Sequence, residues 1–182
     1  MGVISEKYRQ EQQNLHENKL YGVASVGYAP VVAKLIQKLG ITSLTDYGAG
    51  KQRLRQALIE QGIELQRYSP YDPAFPDYGP PLPSQLVCCI DVLEHVEIDC
   101  LEDVLEDIRS NVEKFCFLTI HTGPAVKKLS DGRNAHIIQA PSSWWLKKIT
   151  DYFEISALQS TKGGFWILGA KKKSYLKIDS VD

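Results

Sequence analysis

Three acidic residues and a glycine turn carry the first chemistry this sequence spells out. Asp46-Tyr47-Gly48-Ala49-Gly50 joins an acidic residue to a glycine-rich bend, and helix-forming residues follow from Lys51. Glycines let the backbone approach a ligand with no Cβ in the way, and a helix N-terminus beyond them favours a carboxylate. Asp46 stands where it can meet an ammonium group, directly or through water. Asp72 follows Gly50 by 22 residues, just past an apolar run, at a spacing where an acidic side chain binds both hydroxyls of a ribose. The alternative is a proline-flanked loop aspartate that only makes a turn. Nicotinamide dinucleotides are disfavoured, because the GxGxxG fingerprint needs glycine where Arg53 stands.

Asp91 closes the unbroken apolar run Leu86-Val87-Cys88-Cys89-Ile90 and should face the cleft at the sheet edge where open α/β folds bind ligands. His95 follows four residues on, either hydrogen-bonded within its loop or near a reacting group. His121 directly follows Phe115–Ile120 and should share the cleft edge with Asp91, which makes it the first candidate for a general base; His136 is the second. For both, an ordinary loop histidine is the competing reading. Arg133 can hold an acidic group through a bidentate contact or can simply face solvent. Tyr71 can lie against an adenosine or at the surface. No cysteine pair has metal-ligand spacing, and no metal is expected; Cys88, Cys89, Cys100 and Cys116 are read as free structural thiols.

These residues need a sheet to position them. At 182 residues, 43% hydrophobic and 24% charged, the chain has the make-up of one ordinary domain, 1–182, with a polar extension over 1–28 and a polar tail over 171–182. Ser5 can cap a helix through residue 18 that lies over the domain as a lid. Pro30 suits the first turn of a helix that follows Ala29, and Gly40 ends it. Strands are expected over 41–46, 63–68, 86–90 and 115–120, with helices over 51–61 and 100–109. Residues 70–83 hold six of the nine prolines and should cross the surface as an extended loop. After a long connection from His121 to Pro141, a helix runs through Trp144 and Trp145, more readily packing residues than a stacking platform. Two strands around Gly163-Gly164 pair as a hairpin.

The sum is a Rossmann-like α/β fold: a mostly parallel sheet with an antiparallel C-terminal strand, helices on both faces, and a shortened region after the second strand. A net charge of −1 gives no footprint for a polyanion, so nucleic acid is possible but unsupported. The cluster Lys171, Lys172, Lys173 and Lys177 reads as a solvated end. The N-terminus lacks a secretion signal and no stretch is long and apolar enough for a membrane span, so a cytoplasmic location is expected.

Asp46-Tyr47-Gly48-Ala49-Gly50, Asp72 and Ile90-Asp91-Val92-Leu93-Glu94-His95-Val96, in that order, resemble the motifs of class I S-adenosylmethionine-dependent methyltransferases. The resemblance spans about Ile41 to Asp91. It implies an S-adenosyl-L-methionine site built from Asp46, Gly48, Ala49, Gly50, Tyr71, Asp72, Asp91 and Val92. It also implies methyl transfer, for which the near-neutral charge, small size and polar loop over the cleft point to a small-molecule acceptor. Asp91, His121 and His136 are the catalytic candidates, and His95, Arg133 and Asn134 the candidates to bind the acceptor. Two departures stand out. Gln52 replaces a third glycine, and the stretch from Asp72 to Leu86 is too short for the family's usual helix, strand and helix. The proline loop, with Tyr78, would then replace the usual adenine pocket. The later block His121-Thr122-Gly123-Pro124 with Asp131–His136 is similar to that of a small subgroup of bacterial and phage-encoded methyltransferases. A methyltransferase acting on nucleic acid or protein, and a non-catalytic cofactor-binding relative, remain as alternatives.

Overall fold

A computed structural model of the chain describes residues 2–18 and 21–172. Five helices, α1 (Glu6–Glu17), α2 (Ala24–Leu39), α3 (Arg53–Glu60), α4 (Leu101–Asn111) and α5 (Ser142–Thr150), alternate with six strands. The strands are β1 (Ser43–Tyr47), β2 (Arg67–Tyr71), β3 (Ser84–Ile90), β4 (Val112–His121), β5 (Phe153–Thr161) and β6 (Gly164–Lys171). They form one sheet in the order β2-β1-β3-β4-β6-β5, the first four parallel and β6 antiparallel to both of its neighbours.

The two-residue period of a strand sends alternate side chains to opposite faces. On β3, Leu86, Cys88 and Ile90 join the cluster under α2 and α3, while Val87 and Cys89 join the one under α4 and α5. On α4, Leu101, Val104, Leu105 and Ile108 are buried at the i, i+3, i+4, i+7 spacing of a helix face. Trp145 is fully buried in that second cluster, and Trp144 packs against it. All four cysteines are free and buried. The α/β class with helices on both faces is therefore as expected.

Two boundaries differ from the sequence reading. Helix α2 starts at Ala24, so Pro30 sits inside it. Pro30 is exposed, which leaves water to take the carbonyl freed by its missing N–H. Strand β2 covers Arg67–Tyr71 rather than 63–68, with Pro70 within it. This strand is the sheet edge, where a proline can turn its missing donor away from the ladder.

Helix α1 forms as Ser5 predicts: its hydroxyl accepts from the Tyr8 amide. Both ends of α1 are tied down. Ser5 donates through N and Oγ to Glu97, each at 2.8 Å, and Gln13 donates to the Ala74 carbonyl at 3.1 Å. Tyr8 packs with Leu129 and Ala135 of the long 122–141 connection, and Ser130 bonds Glu11. Lys172 donates to the Thr150 carbonyl at the end of α5. Lys173 and Lys177 lie outside the described residues. Among the described residues no helix is long and apolar enough to cross a membrane.

Candidate functional site

Strands β2, β1, β3 and β4 are parallel, so they end at one edge. The chain passes from β1 to β2 on one side and from β2 back across to β3 on the other, and open α/β sheets bind ligands in the crevice at such a reversal. A cavity of about 440 Å³ lies there, and Asp46, Gly48, Ala49, Gly50, Asp72, Asp91 and Val92 all line it. Its size falls within the roughly 300–1,000 Å³ of small-molecule sites. Helix α1 and the start of the 122–141 connection form the opposite wall.

The bend after β1 is held by the strand beside it. The amides of Gly48 and Ala49 donate to the Tyr71 carbonyl at 2.7 and 2.9 Å, and the Gly50 amide donates to Asp72 Oδ2 at 2.9 Å. Gly48 has φ +82°, and a Cβ there would lie 2.3 Å from Val92 Cγ2. Glycine is thus demanded by backbone and by packing. Gln52, at φ +54°, makes a left-handed entry into α3, so the missing third glycine does not prevent the turn.

The acids differ in environment. Asp46 is buried and takes the Tyr68 hydroxyl, and burial pushes its carboxyl up to about 7. Asp72 also accepts the Ala74 amide, at 2.8 Å, yet burial still raises its carboxyl above the usual range. A carboxylate has about four lone-pair sites, so two bonds leave Asp72 further acceptor capacity. Asp91 is the second non-glycine residue at positive φ, +60°, and its amide donates to Thr119 Oγ1 at 2.9 Å. Such backbone outliers cluster at functional sites.

All four histidines, His16, His95, His121 and His136, line the same cavity. His136 is edge-on to His95 at 4.7 Å between ring centres and tilted against His121 at 5.0 Å. His95 Nδ1 lies 2.8 Å from the Ala135 carbonyl, and His136 Nδ1 2.7 Å from the Gly123 carbonyl. A carbonyl only accepts, so each Nδ1 carries the proton. Enclosure holds His95 down to about 4, so this ring is neutral near pH 7.

Three residues assigned to the site stand outside it. Tyr71 is a core residue, its ring tilted against Tyr47 at 4.7 Å; only its carbonyl serves the bend. Arg133 pairs with Asp131 at 2.7 Å on the surface. The side-chain amide of Asn134 is consumed by both polar groups of the Ala125 backbone and by the His136 amide, so it shapes the loop. Tyr78 lies outside the cavity wall; it stacks on Phe75 and donates to the Gly50 carbonyl at 2.8 Å.

Two residues were missed. Glu94 is fully buried behind Asp91, its Oε1 accepting the His121 amide at 2.5 Å and its Oε2 without a hydrogen bond. Burial, then the Asp91 charge, pushes it up to about 8. The available signal was an acid set beside His95 between the apolar residues Val92-Leu93 and Val96. His16 reaches down from α1, edge-on to Tyr21 and Phe75, and burial lowers it to about 4. No sequence signal separated it from the polar residues around it.

No family model matches the sequence, and no curated protein matches it. Solved structures do. A Burkholderia thailandensis 1,6-didemethyltoxoflavin-N1-methyltransferase, with 1,6-didemethyltoxoflavin and S-adenosylhomocysteine bound, is 14% identical over 92% of this chain and 90% of its own, with a TM-score of 0.64. The chain has the fold of S-adenosylmethionine-dependent methyltransferases. The N-methyltransferase NodS from Bradyrhizobium japonicum, in complex with S-adenosylhomocysteine, gives 7% identity, 92% and 100% coverage and a TM-score of 0.62. The magnesium protoporphyrin IX methyltransferase from Synechocystis, also with S-adenosylhomocysteine, gives 12%, 92% and 95%, and 0.52.

Proposed function

We propose that this protein is an S-adenosylmethionine-dependent methyltransferase acting on a small-molecule acceptor. The observation that carries the reading is the meeting of Asp46, the Gly48–Gly50 bend, Asp72 and Asp91 in one cavity at the sheet's reversal point. Neighbours of the same fold with S-adenosylhomocysteine bound support the donor.

When bound, the sulfonium nucleoside supplies an activated methyl group for in-line displacement. The residues around it divide the remaining work. The glycine bend, with no Cβ in the way, lets the methionine moiety lie close to the backbone, and Asp46 receives its ammonium. Asp72 takes the ribose hydroxyls on its remaining lone pairs. Asp91, with Val92, bounds the side of the cavity where the acceptor enters. His121 and His136 are the candidate bases for an acceptor that carries a proton, and Glu94 holds the His121 backbone in place. Positioning supplies most of the rate, since effective molarities for aligned groups are equivalent to about 7–11 kcal/mol. The roof formed by α1 and the 122–141 connection favours a small acceptor, and the net charge of −1 offers no attraction for nucleic acid.

Isothermal titration with S-adenosylhomocysteine tests the donor site. Binding at micromolar strength is expected, weakened at least ~10-fold in Asp72→Ala through loss of a charge-assisted hydrogen bond. No heat with either the donor or its demethylated product would overturn the reading. Labelled methyl transfer into fractionated small-molecule extract, followed by mass spectrometry, then identifies the acceptor.

A further inference from the structure

We propose that Asp91, His95 and His136 form a binding site for a divalent first-row transition-metal ion on the wall of the cavity. One candidate ligand atom from each residue lies within 4.8 Å of those of the other two. The three come from different places in the chain: the end of β3, the turn after it, and the long connection 41 residues beyond His95.

The hydrogen bonds behind the rings are those a metal site needs. With each Nδ1 proton committed to a backbone carbonyl, Ala135 for His95 and Gly123 for His136, each ring is fixed in orientation and tautomer and offers its Nε2 lone pair. Histidines that bind metal almost always donate their other N–H in this way. Among the described residues no hydrogen bond is found to either Nε2 or to the Asp91 carboxylate. The left-handed backbone at Asp91, held by Thr119 through the main chain alone, leaves that carboxylate uncommitted to the protein. A cluster serving only to pack the loop would spend these polar atoms on each other or on the backbone.

Two imidazoles and one carboxylate suit zinc, manganese, iron(II) or cobalt, whereas magnesium and calcium prefer all-oxygen sets. Metal–nitrogen bonds of about 2.0–2.1 Å fix the spacing of the three atoms, and side-chain rotation of Asp91 and the two loop-borne rings can adjust them to it. Three protein ligands leave coordination positions open toward the cavity. An acceptor hydroxyl seated there loses its proton more easily, as metal-bound water does. That last consequence rests on the methyl-transfer reading, in which His121 then remains as the base because the ion takes the His136 Nε2 lone pair; the metal site does not rest on it.

The test is metal binding to the purified, untagged, chelator-treated full chain, with no cofactor present. Titration with Co²⁺ should give visible absorption bands of a histidine-ligated ion, saturating at about one equivalent, with Zn²⁺ competing and Mg²⁺ not doing so. His95→Ala and His136→Ala should each weaken binding by at least ~10-fold, while His16→Ala, in the same cavity but outside the cluster, should not. Circular dichroism of each variant guards against loss of fold, and the Co²⁺ spectrum of the unaltered chain needs no variant. Absence of the bands, or binding that survives both histidine substitutions together, overturns the proposal. Metal bands without S-adenosylhomocysteine heat would instead sink the donor reading and leave the metal site standing.

Discussion

Gly48→Ala tests whether the bend is built as the geometry states. The new Cβ would lie 2.3 Å from Val92 Cγ2 and 3.0 Å from Cγ1, on a backbone at φ +82°. Carbon atoms rest at about 3.5–4.0 Å, so the overlap exceeds 1 Å and falls on a stiff β-branched side chain. The left-handed backbone costs about 1–2 kcal/mol and the overpacking about 1–3 kcal/mol, giving a total of about 2–5 kcal/mol. Val92→Ala removes both offending methyls and leaves only the Val92 Cβ, at 3.3 Å. Alone it should cost no more than ~1.6 kcal/mol, the worth of two buried methyl groups, and less because Val92 is half-buried. In the double variant the steric part should vanish, so the pair couples by about 1–3 kcal/mol. Urea midpoints at unchanged slope measure all three. Costs that add to within ~0.5 kcal/mol would refute the contact.

Three other predictions concern the same wall. Burial pushes Asp46 up to about 7, and an ammonium pairs with its ionised form; S-adenosylhomocysteine should therefore bind more weakly as pH falls below that value, by up to ~10-fold per unit, and level off above about pH 8. Asp46→Asn should bind weakly with this dependence removed, and a flat profile in the unaltered protein would remove Asp46 from the donor site. The sign for stability is the reverse. Because the folded carboxyl is raised above its unfolded value of 3.8, the unliganded protein should lose stability relative to Asp46→Asn as pH climbs from about 4 to 7. At Gly50, φ +47°, an added Cβ would lie 2.8 Å from His16 Cε1, the end of a side chain that can swing away. Gly50→Ala should loosen α1, raising its hydrogen-exchange rate about 5–30-fold, equivalent to 1–2 kcal/mol. Unchanged protection over Glu6–Glu17 would show that His16 does not anchor the helix.

The sheet was legible because its central strands are buried on both faces, which leaves an unbroken apolar signature in Leu86–Ile90 and Phe115–Ile120. The glycine bend was legible because few residues other than glycine tolerate φ +82° against a valine. What escaped depends on neighbours that a linear pattern does not contain. Pro70 argues against a strand until β2 is known to be an edge, and Pro30 argues for a helix start until its exposure is known. Arg133 and Asn134 carry the right chemistry for acceptor binding, but Asp131 and Ala125 have already used it. His16 and His136 enter the cavity from segments about 120 residues apart, so their meeting is a property of the fold.

Val92 packs one side of the cavity directly against the other. Gly48 and Asp91 end neighbouring parallel strands, both turn left-handed, and Val92 presses from one turn onto the other. Left-handed backbone at a non-glycine residue costs about 1–2 kcal/mol, and at Asp91 the Thr119 hydroxyl, accepting its amide, offsets part of that cost. Relaxing Asp91 would move Val92, and moving Val92 would loosen its packing on the glycine bend. A sheet edge that only capped a core has no need of left-handed backbone at Asp91. The side-by-side placement of the two turns at the reversal point sets the glycine bend and the Asp91 carboxylate against the same hollow, the arrangement the methyl-transfer proposal needs.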